Sequence, residues 1–387
     1  GKDINIRGLG AQQTIVQGSA TRPDGTGSNG SVFTIETGVV ATIADLTVRH
    51  GGYMIYMDSE TIIDNEQEDG DATSAATIIH VADIMGAGIA VHGDLTLDKS
   101  VVADNFIVIT STMRAQVSST APITAEAEAE ATGISVITAM GAGIYNNGTL
   151  TVTNSTVAGN EIYARSDVNM AAVASGGVIS QTATSIAVHE ILGAGISNMG
   201  TLALHNSTVS DNIAASNASA FSGHDVEIAP AHAAGAPDQY AAENVVVNRL
   251  REAQEASLAI LWDENGPRRE RGDTGEIAPE LIDYVSDSSG IVMNGAIGGI
   301  YNGGSATFSF STISANGSVV TSDASGAQSI IVEEKVGGLA GDGSMLEISN
   351  SVVANQMAGP DCAYTEGSTL GYNMDLSLIH ISEPTRP

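Results

Sequence analysis

Cysteine is almost missing. Cys362 is the single example in 387 residues, so no disulfide framework can form within the chain. Basic residues are scarce as well. Lys and Arg total 14 against 45 Asp and Glu, a formal net charge of −31. That balance excludes the basic footprint that DNA, RNA or an anionic membrane surface requires. It favours solubility, a cloud of cations and a saline habitat. Aromatics make up 4% of the chain, with one Trp, so few flat platforms for sugar rings are on offer. No apolar run is long enough to cross a bilayer. The chain begins at Gly1 with no charged-then-apolar leader before its first strand. It therefore reads as a mature piece or a fragment whose signal and anchor lie elsewhere. The eight histidines show no metal-ligand spacing.

What the chain does have is a repeat. Gly141 to Asn160 reads GAGIYNNGTLTVTNSTVAGN. Gly86 to Asn105 (GAGIAVHGDLTLDKSVVADN) and Gly193 to Asn212 (GAGISNMGTLALHNSTVSDN) repeat it. Two further copies follow, Ile297 to Asn316 (IGGIYNGGSATFSFSTISAN) and Val336 to Asn355 (VGGLAGDGSMLEISNSVVAN). The second glycine of each copy (Gly88, Gly143, Gly195, Gly299 and Gly338) marks a tight turn or a close backbone approach that a β-carbon would block. Leu150, Val152 and Val157 alternate with Thr151, Thr153 and Thr156, which is strand patterning rather than helix. Each copy closes on an asparagine: Asn105, Asn160, Asn212, Asn316 and Asn355. Asparagine tolerates left-handed backbone and, stacked over itself, forms an amide ladder inside a turn. A unit this short cannot bury both faces of its strands, so neighbouring units must stack into one continuous core. The economical fold is all-β: a right-handed parallel β-helix, a single-stranded solenoid.

The pairing of a GGxI-like element with a closing VxxN resembles the GGAI and FxxN repeats of chlamydial polymorphic outer membrane proteins. It is more closely similar to the parallel β-helix repeats of large bacterial surface proteins. Ile4 to Gly52 resembles the first coils of that group, and Gly359 to Cys362 with Leu370 to Asn373 resembles its last. The resemblance touches about half the chain. It implies the β-helix fold and a cell-surface or secreted location, and says little about activity.

The domain reads as residues 1–376. Thr21 to Gly30 is a loop by composition, Ile62 to Asn65 a candidate coil closure, and Glu66 to Asp71 an exposed acidic loop. That loop lacks the GGxGxD nonapeptide of calcium β-rolls, so Ca²⁺ would bind it loosely; no other cofactor is expected. Successive copies lie farther apart than the roughly 20 residues of a minimal solenoid coil, so each carries a second coil or an excursion. Long hairpin or loop extensions from one edge are the expectation, with disordered excursions as the alternative. Within one of them Ala125 to Ala131 alternates Ala with Glu, an edge strand with one acidic face. A larger insertion is expected over roughly 214–294, with an amphipathic helix over 239–262. Ser377 to Pro387 continues no repeat, resembles translated adaptor sequence, and is left out of the fold.

Chemistry-bearing constellations are thin. Asp104 and Asp211 occupy the same place in their copies, with Gly159 between, which would put their carboxylates roughly 10 Å apart in a direct stack. Inverting glycosidases hold theirs about 6.5–9.5 Å apart, so this pair is the one catalytic candidate. Aspartates that bond turn amides are the commoner explanation. The lyase and hydrolase members of the pectate-lyase-like fold use basic residues or close Asp clusters, and the repeats supply neither. Arg271-Gly272-Asp273 is a chance-level RGD, and the sequons at Asn154 and Asn206 arise from the repeat itself. The sequence therefore points to a non-catalytic structural or adhesive segment of a bacterial surface or secreted protein. It would be monomeric, with a cell-surface glycan or protein as partner and neither nucleic acid nor direct membrane insertion. A carbohydrate-active enzyme (polysaccharide lyase or glycoside hydrolase) or a glycan-binding protein is the alternative.

Overall fold

The computed structural model describes residues 3–18, 30–122, 125–175, 178–223, 262–263, 266–267, 288–325, 328–341, 345–364, 368–369 and 374–375. It is all-β with parallel sheets, and no helix occurs among the described residues. One repeat shows the plan. Thr149–Thr153 runs in sheet 1, Thr156–Ala158 in sheet 2, Glu161–Ser175 in sheet 3, Val178–Leu192 in sheet 4 and Ile196–Asn198 in sheet 5; Thr201–His205 then re-enters sheet 1. Each strand pairs in parallel with its equivalents in the repeats before and after. The five sheets contain 8, 8, 5, 5 and 7 strands.

Sheets 1, 2 and 5 turn alternate residues onto one aliphatic core. Ile43, Leu95, Leu97, Val102, Ile144, Leu150, Val152 and Val157 are all essentially without exposed surface. Their outward partners are mostly hydroxylic, including Thr96, Thr151, Thr156, Thr208 and Thr312. This is the alternation read from the sequence.

The excursions correct one expectation. Ile62 to Asn65 closes no coil but belongs to a single strand, Gly52–Glu66 in sheet 3, whose chain returns as Ala72–Met85 in sheet 4. Phe106–Thr120 with Glu126–Met140, and Glu161–Ser175 with Val178–Leu192, repeat the arrangement. Hairpins would bond strand to strand within each excursion. Instead every arm bonds to the matching arm of the next repeat, and the two arms meet only through side chains. Each excursion is thus an arch, and the arches stack. The reason lies in the residues that meet: Ala72, Ala76, Ala127, Ala129, Ala131 and Ala183 from sheet 4 against Met113, Ala115, Val117, Val168, Met170 and Ala172 from sheet 3. Small side chains on one arm let two sheets close face to face, while backbone groups find partners one strand spacing, about 4.8 Å, away.

The alternation in Ala125 to Ala131 holds, with alanines in and glutamates out. The strand is not an edge, however, since it pairs on both sides. Where the chain lacks arms, Glu347 pairs with Ser368, close to the minimal spacing. The arms therefore account for the long repeat.

Ile213–Gly223 and Ser288–Ile297 fall largely within the expected insertion and are ordinary strands of sheets 3 and 4. The expected helix over 239–262 lies outside the described residues except for its last position; Trp262–Asp263 pairs antiparallel with Gly266–Pro267. Arg271 to Asp273 and the tail 377–387 also lie outside the described residues.

Candidate functional site

The second glycine of each copy and the closing asparagine form one unit. A β-carbon on Gly143 would stand 2.8 Å from the side-chain amide nitrogen of Asn160 and 2.5 Å from the carbonyl oxygen of Gly195. Gly88 and Gly195 are hemmed in the same way by Asn105 and Asn212, and Gly299 by Asn316. Close approach, not unusual φ, is what requires glycine here. The preceding Gly141 is the one that takes positive φ, at 60°.

Asn105 donates its Nδ2 to Asn160 Oδ1 (2.9 Å), Asn160 to Asn212 (2.8 Å) and Asn212 to Asn316 (2.9 Å). Each Oδ1 also accepts from the backbone N–H of the asparagine before it, and each Nδ2 of the last three also donates to a sheet 2 carbonyl. The interior amides of this ladder are fully satisfied.

Asn355 is not part of it. The ladder ends on Gln356, whose Oε1 accepts from Asn316 Nδ2 at 3.2 Å. In the last copy Leu346 lies one residue farther from Gly341 than its partner Ala306 lies from Asn302, so Asn355 falls one place early, exposed and at φ 59°, and the longer glutamine reaches the ladder in its stead. Gly338 accordingly packs against Gln356.

Two further ladders escaped sequence reasoning. Asn146, Asn198 and Asn302 form a second buried amide row, with Nδ2 to Oδ1 distances of 2.6 Å at both steps. Ser100, Ser155, Ser207, Ser311 and Ser351 each accept a backbone N–H from the preceding repeat and donate to a carbonyl two residues back. The recurring Ser-Thr and Ser-Val pairs were the signal for the latter.

Asp104 and Asp211 sit at the corner between sheets 2 and 3, exposed, with φ of 55° and 57°. The same corner holds His50, Gly159, Ala315 and Asn355, all at positive φ. What this position selects for is tolerance of left-handed backbone. Among the described residues no group of three or more His, Cys, Asp or Glu side chains could hold a metal ion. In the acidic segment, Asp71 already accepts the Glu126 N–H at 2.9 Å and lies in the turn between two arms.

The arms hold the chemistry-bearing residues that the sequence did not flag. His189 lies wholly inside, its Nε2 2.6 Å from Ser166 Oγ and its Nδ1 2.8 Å from Ser216 Oγ. Ser166 Oγ also lies 2.7 Å from Ser135 Oγ. Nearer the first repeat, His80 bridges Ser59 (2.9 Å) and Ser111 (3.0 Å). Burial lowers His189 to about 3, so its ring is neutral over the physiological range; burial also lowers His80, partly offset by the charge of Asp58. These serine–histidine contacts resemble a nucleophile and base only in residue type. They lie between the two sheets of the arms, where the hydroxyls satisfy a buried ring.

Outside the arms, where sheet 4 meets sheet 5, Asp83 and Tyr145 occupy a corner lined by Met85, Met140 and Leu192. Burial raises Asp83 to about 6 and, with the charge of Asp83, raises the Tyr145 phenol. Nothing in the sequence linked the two, because they come from different sheets of successive repeats. No family model, curated protein or solved structure matches the chain.

Proposed function

We propose that this chain is a right-handed parallel β-helix bearing a fin of stacked arches, and that it works as a rigid spacer or adhesive segment of a bacterial cell-surface or secreted protein. The observation that carries the reading is the register that passes from repeat to repeat. The strands of the five sheets pair residue for residue between successive layers, with a shift in sheet 4 between Met293 and Ala296, and a continuous side-chain amide ladder passes through the turn. Such a stack transmits load along its length and presents long, regular sides. Its eight-stranded sheets would span about 34 Å along the axis at ~4.8 Å per strand. The exposed placement of Asp104 and Asp211 at turn corners, and the hydroxylic outer face of sheets 1 and 2, favour spacing or adhesion over catalysis. In this reading the chain is an extracellular monomer whose partner is a surface glycan or protein.

The test is release of reducing sugar and of unsaturated products from a panel of acidic and neutral polysaccharides, with and without Ca²⁺. The unaltered chain and the Asp104→Asn/Asp211→Asn double variant run side by side. The expected result is no release by either. Release by the parent that the double variant abolishes would overturn the structural reading and return those acids to catalysis.

A further inference from the structure

The corner between sheets 4 and 5 holds two polar groups that the protein itself leaves unanswered. Tyr145 is the middle residue of its sheet 5 strand, paired with Ala90 on one side and Ser197 on the other. It has no exposed surface, and its hydroxyl has no hydrogen-bond partner. Asp83 comes from the preceding repeat, near the end of its sheet 4 strand and in register with Thr138. Its Oδ1 is likewise buried without a partner. The groups are close enough for the Asp83 charge to act on the phenol, yet no hydrogen bond joins them. Met140 and Leu192 are buried beside Tyr145, with Met85 and Met199 packed at the margin. The His92 ring stands 6.0 Å from the Tyr145 ring, tilted by 59°. Asp83, Ile84 and Met85 are all partly exposed, so the corner is open toward the first repeat. The other titratable groups facing it are His92, Glu190, which follows Thr138 along the Asp83 row, and Tyr301, which follows Ser197 along the Tyr145 row.

We propose that this corner binds the ammonium end of an aliphatic amine, such as an alkylammonium ion or a lysine side chain. A carboxylate accepts only, a phenol oxygen can accept, and an ammonium group offers three donors and needs no acceptor. One nitrogen between them answers both orphaned atoms, and its charge meets that of Asp83 in a partly desolvated setting, where charge-assisted bonds are strongest. The aliphatic stem has somewhere to lie, because methionine and leucine side chains form the walls. An anion would meet Asp83 as a like charge. A neutral alcohol could donate one bond, but brings no charge to the carboxylate. The inference stands apart from the spacer reading, and either can fail alone.

The experiment uses the full chain with ¹³C-methyl methionine, the resonances of Met85 and Met140 assigned by single Met→Leu changes. n-Butylammonium is titrated to about 100 mM near neutral pH, with n-butanol and butyrate in parallel; affinities this weak still give a measurable isotherm. Saturable shifts at Met85 and Met140 are expected for the ammonium ion, with n-butanol about tenfold weaker and butyrate inert. Asp83→Asn should weaken ammonium binding about tenfold while the methyls of Met113 and Met170, inside the arms, keep their positions. In the unaltered chain, binding should weaken as the pH falls through about 6, where Asp83 takes up its proton. That arm of the test needs no variant to fold. Absence of saturable shifts, equal shifts from n-butanol, or binding indifferent both to Asp83→Asn and to pH would each overturn the assignment.

Discussion

Leu150 in the stack and Ala129 in the arms lie in successive repeats, each almost without exposed surface, and they are held by different means. Around Leu150, sheets 1, 2 and 5 close on a core of Leu, Ile and Val, and the polar groups at its corners are tied into continuous Asn and Ser ladders. Around Ala129, two long sheets meet across alanines, with Met and Val between them and with serines and histidines inside. Several of those serines, Ser74, Ser119 and Ser222, have no partner for a buried hydroxyl. The backbone pairing is the same in both regions. Stability should therefore be set by the stack, where burial is large and every ladder amide is answered. The arms depend on close fit between small residues and tolerate little change in size.

The largest effects should come from volume, with opposite volume changes doing the damage in the two regions. Leu150→Ala should cost about 2–5 kcal/mol in urea unfolding, because a cavity opens in a core that cannot collapse. Ala129→Leu should cost about 1–3 kcal/mol by forcing two sheets apart. Truncating a leucine is damaging in the stack, and enlarging an alanine is damaging in the arms. Equal tolerance of both changes would mean that the two interiors are not packed differently.

Asn160→Ala should follow at about 1–3 kcal/mol, since it leaves the side-chain nitrogen and the backbone N–H of Asn105 without partners in a buried turn and takes one of two donors from Asn212 Oδ1. Gly143→Ala should be at least as damaging, as its β-carbon has no room beside that amide. If either unfolds no more readily than the parent, the ladder fills space rather than joining repeats.

The stack was legible in the sequence and the arms were not, for a physical reason. Glycines and asparagines at fixed offsets encode backbone conformation and close approach, and few other arrangements use them. Alternating Ala and Glu in residues 125–131 specifies only a strand with one small face. Whether that face meets a hairpin partner, solvent or a second sheet depends on neighbours a full repeat away. The misplacement of Asn355 has a simpler cause, as one extra residue between Gly341 and Leu346 shifted the motif and a glutamine took the ladder position. Asp83 and Tyr145 carry no motif at all, being brought together only by the stacking of one repeat on the next.

Acid should separate the regions next. His189 is neutral inside the arms, with its folded pKa lowered to about 3 from 6.5, so the unfolded chain binds the proton first as pH falls. Stability from this group is complete above about pH 6.5 and is lost toward pH 3, at up to about 1.4 kcal/mol per pH unit. Asp83 works the other way, since its folded pKa is raised to about 6 from 3.8. Its burial destabilises above pH 6, and that cost fades toward pH 3.8. Hydrogen exchange between pH 6.5 and 4 should show the amides of Val168 to Ala172 losing protection while those of Leu150 and Val152 hold. Uniform loss would mean that arms and stack open together.

The smallest effect belongs to the corner where the stack hands the chain to the arms. Ala315 stands there at φ 55°, a region that disfavours an L-residue by about 1 kcal/mol, whereas Gly159 meets no such penalty. Glycine also loses more freedom on folding, by roughly 0.5–1 kcal/mol, so the two terms nearly cancel. Ala315→Gly should therefore change stability by no more than about 0.5 kcal/mol. Asp104→Gly should behave alike, because Asp104 occupies the equivalent turn, exposed and also at positive φ. Thermal unfolding of both variants beside the parent decides the point. A loss above about 1 kcal/mol confined to Asp104→Gly would show its carboxylate holding the corner together. Near-equality would show that aspartate, alanine, asparagine and glycine are interchangeable there because only the backbone angle is being selected.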